Sequence, residues 1–427
     1  MKKINLIIFE TDVNRFSVAY LLFILEKEKF AGNFDLHFFK TRDDIRNLSE
    51  SPAVSDAPCV FMFSFMSSLL CEVIENIAEI KKRFNPSAFS KNCILIAGGP
   101  HVTGDPDSGV KMGFDLNFKG EAENSWPDFL RLAVEKCGES RFREKILSCF
   151  ASAVVKDERP VPLDRYLPFG DIYSLVPPLE IMRGCFYNCR FCQTATCEVK
   201  YRSLSSIEEF FAEYRRRLFK RLCFICPSAF HYSADKPSKI NADTIEWMLQ
   251  TAREKYGIKY IEYGIFPSEA RPETINDETA GIIKKYCSNK RVSIGAQSGD
   301  SGRIARLRRG HGLDAVHNAC ETLKRHGLTA VIDFIFGFPE ETEEEQLTTL
   351  AAIKDIHTRY GSRIQTHFFL PLPGTPLYSS RFSPLGQKAL KLLEKYSAGG
   401  ICTDWYAEGI EQSKRICEVL DSFQNNL

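Results

Sequence analysis

The stretch Arg183-Gly184-Cys185-Phe186-Tyr187-Asn188-Cys189-Arg190-Phe191-Cys192 sets three cysteines at the spacing C-x3-C-x2-C. An apolar run, Leu179 to Met182, precedes it and reads as a strand. Arg183-Gly184 ends that strand, so the cysteines fall in the loop at its C-terminal end. In a parallel α/β architecture that edge is where ligands bind. Thiolates hold iron–sulfur clusters, and a [4Fe–4S] cluster normally takes four of them. Three close cysteines would leave one iron without a protein ligand, and an open metal position points to catalysis.

Most cysteines only pack, but three in a loop rich in Gly, Asn and Arg read as a metal site. Structural zinc is closed by a second cysteine pair. Cys197 and the Cys223/Cys226 pair fit that layout poorly. Cys197 remains an alternative of another kind: as a fourth ligand it would close the cluster.

The 427 residues allow two or three domains with ample core. A net charge of +1 carries no nucleic-acid signature. The apolar run Ile4 to Phe9 is ended by Glu10, Asp12 and Asn14, which reads as a buried strand and not a signal peptide. No stretch has the length of a membrane span. Fifteen scattered cysteines without a secretion signal suggest free thiols in a reducing cytoplasm.

Residues 1 to 150 alternate strand and helix. Strands are predicted at Ile4–Phe9, Asp35–Phe39, Cys59–Ser64, Ile94–Ala97 and Leu116–Phe118, with helices at Ser17–Glu28, Ser67–Arg83 and Ser125–Glu135. Five strands with intervening helices describe a Rossmann-like, doubly wound α/β domain. Its C-terminal loops include Glu10 to Arg15, with Asn14; Ser64-Phe65-Met66-Ser67-Ser68; Gly98-Gly99-Pro100-His101; and Gly120-Glu121-Ala122-Glu123. Prolines 160, 162 and 168 mark residues 151–176 as a linker. Residues 177–376 alternate again, with strands at Leu179–Met182, Leu222–Cys226, Tyr260–Tyr263, Val292–Ala296, Ala330–Phe336 and Thr366–Leu370. Six βα units are short of the eight of a full barrel and predict a partial (β/α)6 barrel. Residues 377–427 form a helical C-terminal tail, with helices at Gln387–Tyr396 and Ile410–Gln424, read as padding or a flap over the barrel mouth.

The cysteine stretch, with an aromatic before its third cysteine and a strand ending in Arg-Gly ahead of it, resembles the radical S-adenosylmethionine (SAM) enzymes. The resemblance implies that Cys185, Cys189 and Cys192 hold a [4Fe–4S] cluster whose open iron chelates SAM. One electron then cleaves SAM to a 5′-deoxyadenosyl radical, supplied by a donor such as flavodoxin or ferredoxin. Phe191 would lie near the adenine, and Glu269, Arg271, Gln297 and Ser298 would contact SAM. Where many relatives carry Gly-Gly-Glu, this chain has Pro227-Ser228-Ala229.

The first-domain loops resemble, in order, those of the cobalamin-binding domain that precedes many radical SAM domains. The resemblance implies cobalamin contacts from Asn14, Ser64, Ser67, Gly98, Gly99, His101, Gly120 and Glu121. The histidine motif that supplies a lower cobalt ligand in some relatives is absent, and His101 is the nearest alternative. The expected activity is methylation of an unactivated carbon of a small-molecule or natural-product substrate. The alternatives are cyclisation or rearrangement without methyl transfer, and a non-catalytic cobalamin or iron–sulfur sensor with Cys197 closing the cluster. Methylthiotransferases need further N-terminal cysteines, but Cys59, Cys71 and Cys93 lie in or beside predicted strands and helices.

Overall fold

The computed structural model describes residues 3–51, 54, 57–84 and 91–425. Its first part is a sheet of six parallel strands: β1 (Ile4–Phe9), β2 (Phe34–Phe39), β3 (Cys59–Ser64), β4 (Cys93–Gly98), β5 (Leu116–Lys119) and β6 (Val154–Lys156). Side-chain alternation explains how the sheet is covered. Along β1, Ile4, Leu6 and Ile8 pack with Val18, Leu22 and Phe129, while Ile7 and Phe9 pack with Phe63, Val73 and Ile77. Successive strand residues point to opposite faces, so helices on both sides bury all of β1.

The strand order is β2-β1-β3-β4-β5-β6. The chain therefore reverses direction between β1 and β3, and the loops leaving those strands diverge at the sheet's C-terminal edge. One feature differs from expectation. The stretch read as linker contributes β6, paired through Asn117↔Val154 and Phe118↔Val155. Three residues are too short to show a period in sequence.

The second part carries β7 (Leu179–Glu180), β8 (Met182–Arg183), β9 (Lys200–Tyr201), β10 (Arg221–Ile225), β11 (Tyr260–Glu262), β12 (Arg291–Gln297), β13 (Thr329–Phe336) and β14 (Arg363–Phe368). Two parallel sheets, β11-β10-β7 and β12-β13-β14, meet at an Ala270↔Ile294 bridge. Six parallel strands thus follow one another in chain order. Leu222, Phe224, Ile261, Val292, Ile294, Ile332 and Phe334 pack under the intervening helices. Alternate positions carry polar groups that meet one another: Cys223 Sγ lies 3.3 Å from Glu262, and His367 Nε2 lies 3.2 Å from Asp333.

The predicted strand Leu179–Met182 is divided. β7 pairs with β10, but β8 leaves the sheet and pairs antiparallel with β9. The tail does more than pad. The helix Gln387–Ala398 buries Ala389 and Leu393 in the second core, while the helix Tyr406–Asn425 sends Ile416 and Leu420 into the first. Between them, Cys402 bridges Ile364, and Trp405 Nε1 donates to the Thr366 carbonyl at 2.8 Å, covering the outer edge of β14. No described helix is long and apolar enough to cross a membrane.

Candidate active site

The β8/β9 ribbon closes the base of the cysteine loop. Met182 pairs with Tyr201 and Arg183 with Lys200, so the loop leaves and re-enters at one place. Gly184 sits there at φ +77°, and a Cβ on it would lie 2.3 Å from the Glu198 carbonyl oxygen. Only glycine suits both the backbone conformation and the close passage.

Arg183 fixes this frame to the first sheet. One guanidinium nitrogen meets Glu180 at 2.6 Å and Glu123 at 2.9 Å, and the other meets Glu121. Lys200 reaches Glu121 at 2.7 Å. Burial works against the charge on Arg183, but Glu180, Glu123 and Glu121 outweigh it and hold the guanidinium protonated. Glu121, expected to contact cobalamin, is thus committed to the frame of the cysteine loop.

Within the loop Cys189 is buried, Cys185 and Cys192 are partly buried, and Cys197 is exposed. Burial pushes the Cys185 thiol up, and the nearby Cys192 and Cys189 add to the rise. Among the described residues no three His, Cys, Asp or Glu side chains converge as they would on one metal ion. A cluster spreads its thiolates over separate irons, and three cysteines near enough to feel one another's charge suit it.

The residues expected around SAM divide. Phe191 packs edge-on to Phe338, with ring centroids 5.7 Å apart. Arg271 is buried, lies 3.4 Å from the centre of the Tyr187 ring and donates to Glu273. Burial and then the Asp333 carboxylate push Glu269 up to about 7, against the pull of His367 and Arg309. Gln297 stands at φ +72°, where the β12–β13 register shifts. Ser298 is fully buried, 3.2 Å from the Thr349 hydroxyl, and accepts from the Asp300 amide at 3.1 Å. It shapes the turn into the helix Ser301–Arg306 and offers no surface to a ligand.

Two residues not nominated from sequence join the site: Asp333 and His367 lie near enough to Glu269 to shift its titration. The basic run after the fourth barrel strand, read from sequence as either a solvated helix or a holder of an anionic group, contributes a third residue. Arg309 is buried, with Nη1 3.3 Å from Cys189 Sγ and Nη2 donating to the Gly295 carbonyl at 2.8 Å. Arg309 Nε and the neighbouring His311 Nε2 are buried without partners. Burial and then Arg309 lower His311 to about 4, which keeps its ring neutral. His311 Nδ1 donates to the Gly312 carbonyl at 3.3 Å, so in the neutral ring the partnerless Nε2 is an acceptor and the unsatisfied donor is Arg309 Nε–H, which fits an anionic group beside the cysteines. The signal was the basic stretch Arg303 to Arg309, ending in Arg309-Gly310-His311; Arg303 and Arg309 are buried while Arg306 and Arg308 are exposed.

The first-sheet loops are more self-contained than expected. Asn14 Nδ2 donates to the carbonyls of Phe9 and Ser64, both at 2.9 Å, stitching β1 to β3 where their loops diverge. Ser64 Oγ donates to Ser17 at 3.1 Å. His101 has Nδ1 2.9 Å from Ser67 Oγ and Nε2 3.0 Å from Ser108 Oγ. Both nitrogens are taken and the ring is fully buried, so it is not presented as a cobalt ligand. A Cβ on Gly99 would lie 2.7 Å from the Phe65 amide, so that glycine serves packing. Gly98 and Gly120 are accessible, and Gly120 (φ +98°) has open space where a side chain would be. Val13 and Met66 are exposed on the same loops.

The two edges touch. Gln193, next to Cys192, donates to the Pro100 carbonyl at 3.0 Å and to the Pro373 carbonyl at 2.8 Å. A groove of about 590 Å³ opens to one side, lined by Ser68, His367, Phe368, Trp405, Glu411 and Arg415 among others. No residue of the cysteine loop lines it.

Residues 179–353 match the model of the radical SAM superfamily. The chain carries a radical SAM domain. An uncharacterized methyltransferase of Pyrococcus horikoshii is 25% identical over 331 residues, 71% of this chain and 65% of that protein. An uncharacterized protein of Methanocaldococcus jannaschii is 23% identical over 378 residues, 85% of this chain and 76% of that one. Among solved structures, the radical SAM methyltransferase TsrM of Kitasatospora setae, with cobalamin and a [4Fe–4S] cluster bound, superposes at a TM-score of 0.58. It is 13% identical, and the match covers 88% of this chain and 77% of TsrM. The cobalamin-dependent SAM radical enzyme OxsB superposes at 0.52 with 14% identity, over 82% of this chain and 52% of OxsB. At these identities the superpositions establish a shared fold. A radical SAM domain works with a [4Fe–4S] cluster and SAM, and the cysteine loop lies within the matched residues.

Proposed function

We propose that this protein is a cobalamin-dependent radical SAM methyltransferase acting on an unactivated carbon. The observation that carries the reading is the meeting of two ligand-binding edges. The loops ending the first sheet abut the cysteine loop through Gln193–Pro100 and Arg183–Glu121. The Pyrococcus relative is named a methyltransferase, and TsrM and OxsB are described with cobalamin bound.

In this reading residues 1–150 form a Rossmann-like cobalamin domain, 151–176 a linker that also lends a strand, 177–376 a partial barrel and 377–427 the tail. Cys185, Cys189 and Cys192 hold the cluster, which supplies the electron that cleaves SAM. Arg271 and Gln297 hold SAM, and Phe191 presents an apolar wall to it. Glu269, titrating near neutrality, can either donate to or accept from a ribose hydroxyl. A corrinoid would rest on Val13, Met66, Gly98 and Gly120, with no imidazole from this chain on its cobalt. The electron comes from a flavodoxin- or ferredoxin-like donor.

The test is product analysis of anaerobically reconstituted enzyme with cobalamin and methyl-labelled SAM. Label in a carbon-bound methyl group supports the reading. Label-free product accompanied by 5′-deoxyadenosine points to cyclisation or rearrangement. Failure to bind any corrinoid removes the methyl-transfer reading.

A further inference from the structure

We infer that Arg309 is a positioning residue for the iron–sulfur cluster: it donates an N–H···S hydrogen bond to the Cys189 sulfur and raises the cluster's reduction potential. The inference rests on the reading of Cys185, Cys189 and Cys192 as cluster ligands.

The side chain is built for this placement. Arg309 lies between Arg308 at φ +56° and Gly310 at φ +77°, and this pair of left-handed residues turns it inward between two exposed neighbours. Its exposure is 8%. Nη2 is anchored on the Gly295 carbonyl at 2.8 Å, while Nη1 points at Cys189 Sγ from 3.3 Å. Gly295 leaves space here for two side chains, since a Cβ there would lie 2.2 Å from Gln297 Nε2 and 3.1 Å from Arg309 Nη2. A planar fork can engage two acceptors at once, which an ammonium cannot do with the same geometry.

Hydrogen bonds to cluster sulfurs are among the factors that set the potential. The reduced cluster carries one more negative charge than the oxidised one. A cationic donor at Cys189 therefore stabilises the reduced state more, and its buried position strengthens the effect. An easier reduction brings the cluster closer to the reach of a physiological one-electron donor.

The test is an EPR-monitored redox titration of reconstituted enzyme in the absence of SAM, for the natural protein, Arg309→Met and Arg309→Lys. Omitting SAM removes any effect that Arg309 exerts through SAM itself. The expected result is a midpoint potential shifted to a more negative value in Arg309→Met and by a smaller amount in Arg309→Lys, with iron and sulfide per chain unchanged. Should Arg309→Met fail to assemble the cluster, the Arg309→Lys shift decides alone. An unchanged potential in the variants that assemble overturns the inference and leaves the three-cysteine reading intact. A natural protein that binds no cluster overturns that reading and the inference with it.

Discussion

A buried imidazole with both ring nitrogens hydrogen-bonded has no lone pair to give a metal. His101 is in that position between Ser67 and Ser108, and burial lowers it to about 4, so the ring is neutral. His101→Ala takes a partner from each hydroxyl, an expected loss of about 1–3 kcal/mol in urea denaturation. The visible spectrum of bound corrinoid should match that of the natural protein. Gly184 is less forgiving. Gly184→Ala meets the Glu198 carbonyl and an unfavourable φ together, and the expected result is loss of cluster assembly, read as iron and sulfide per chain. Glu269 sets a pH dependence. Its folded value is raised from 4.5 to about 7, so the folded state binds this proton more tightly. The resulting stability is complete below about 4.5 and is lost as pH rises through about 7. In cluster-free protein, Glu269→Gln should flatten the fall in unfolding free energy between those values. A slope equal to that of the natural protein would show that Glu269 is not the group responsible.

At the scale of elements, the ribbon of β8 and β9 carries the site. Arg183 binds its three carboxylates from this ribbon, and Glu123 is nearly inaccessible, with 4% of its side chain exposed. Arg183→Met leaves that carboxylate buried without a cation, with only the Tyr20 hydroxyl 3.4 Å away, at an expected cost of about 3–5 kcal/mol. Glu121→Gln should cost less, because Glu121 is more exposed and its amide still hydrogen-bonds; thermal unfolding of the two variants checks the order. Neither ribbon nor clamp was legible in sequence. Two-residue strands have no period, and Arg183 meets Glu121 across 62 positions. The long apolar strands were legible because both faces are covered, as the burial of all of β1 and β3 illustrates. The cysteine spacing was legible because its chemistry is local. Polar contacts such as those of Ser298 and His101 were not, because a serine or histidine facing the core and one facing a ligand look alike in a loop.

For the whole molecule, the tail helix Tyr406–Asn425 ties the two parts together. Ile416 and Leu420 enter the first core, and Gln412 donates to the Ser68 carbonyl at 3.1 Å. Ending the chain before Tyr406 exposes those side chains, at about 1.5–3 kcal/mol each, and should lower the melting temperature of the first part. The alternation of strands and helices foretold two α/β parts. What it could not foretell was the way they join, because Arg183, Gln193 and the tail act across long separations. That junction gives the cysteine loop its meaning: three cysteines near one another, a Cys197 that is exposed, and a partnerless N–H on Arg309. The most direct test is the EPR spectrum of the reduced cluster with and without SAM, in the natural protein and in Cys197→Ala. A cluster with one open iron predicts a spectrum that changes on adding SAM in both proteins. A spectrum indifferent to SAM, or a cluster lost with Cys197, would contradict the account.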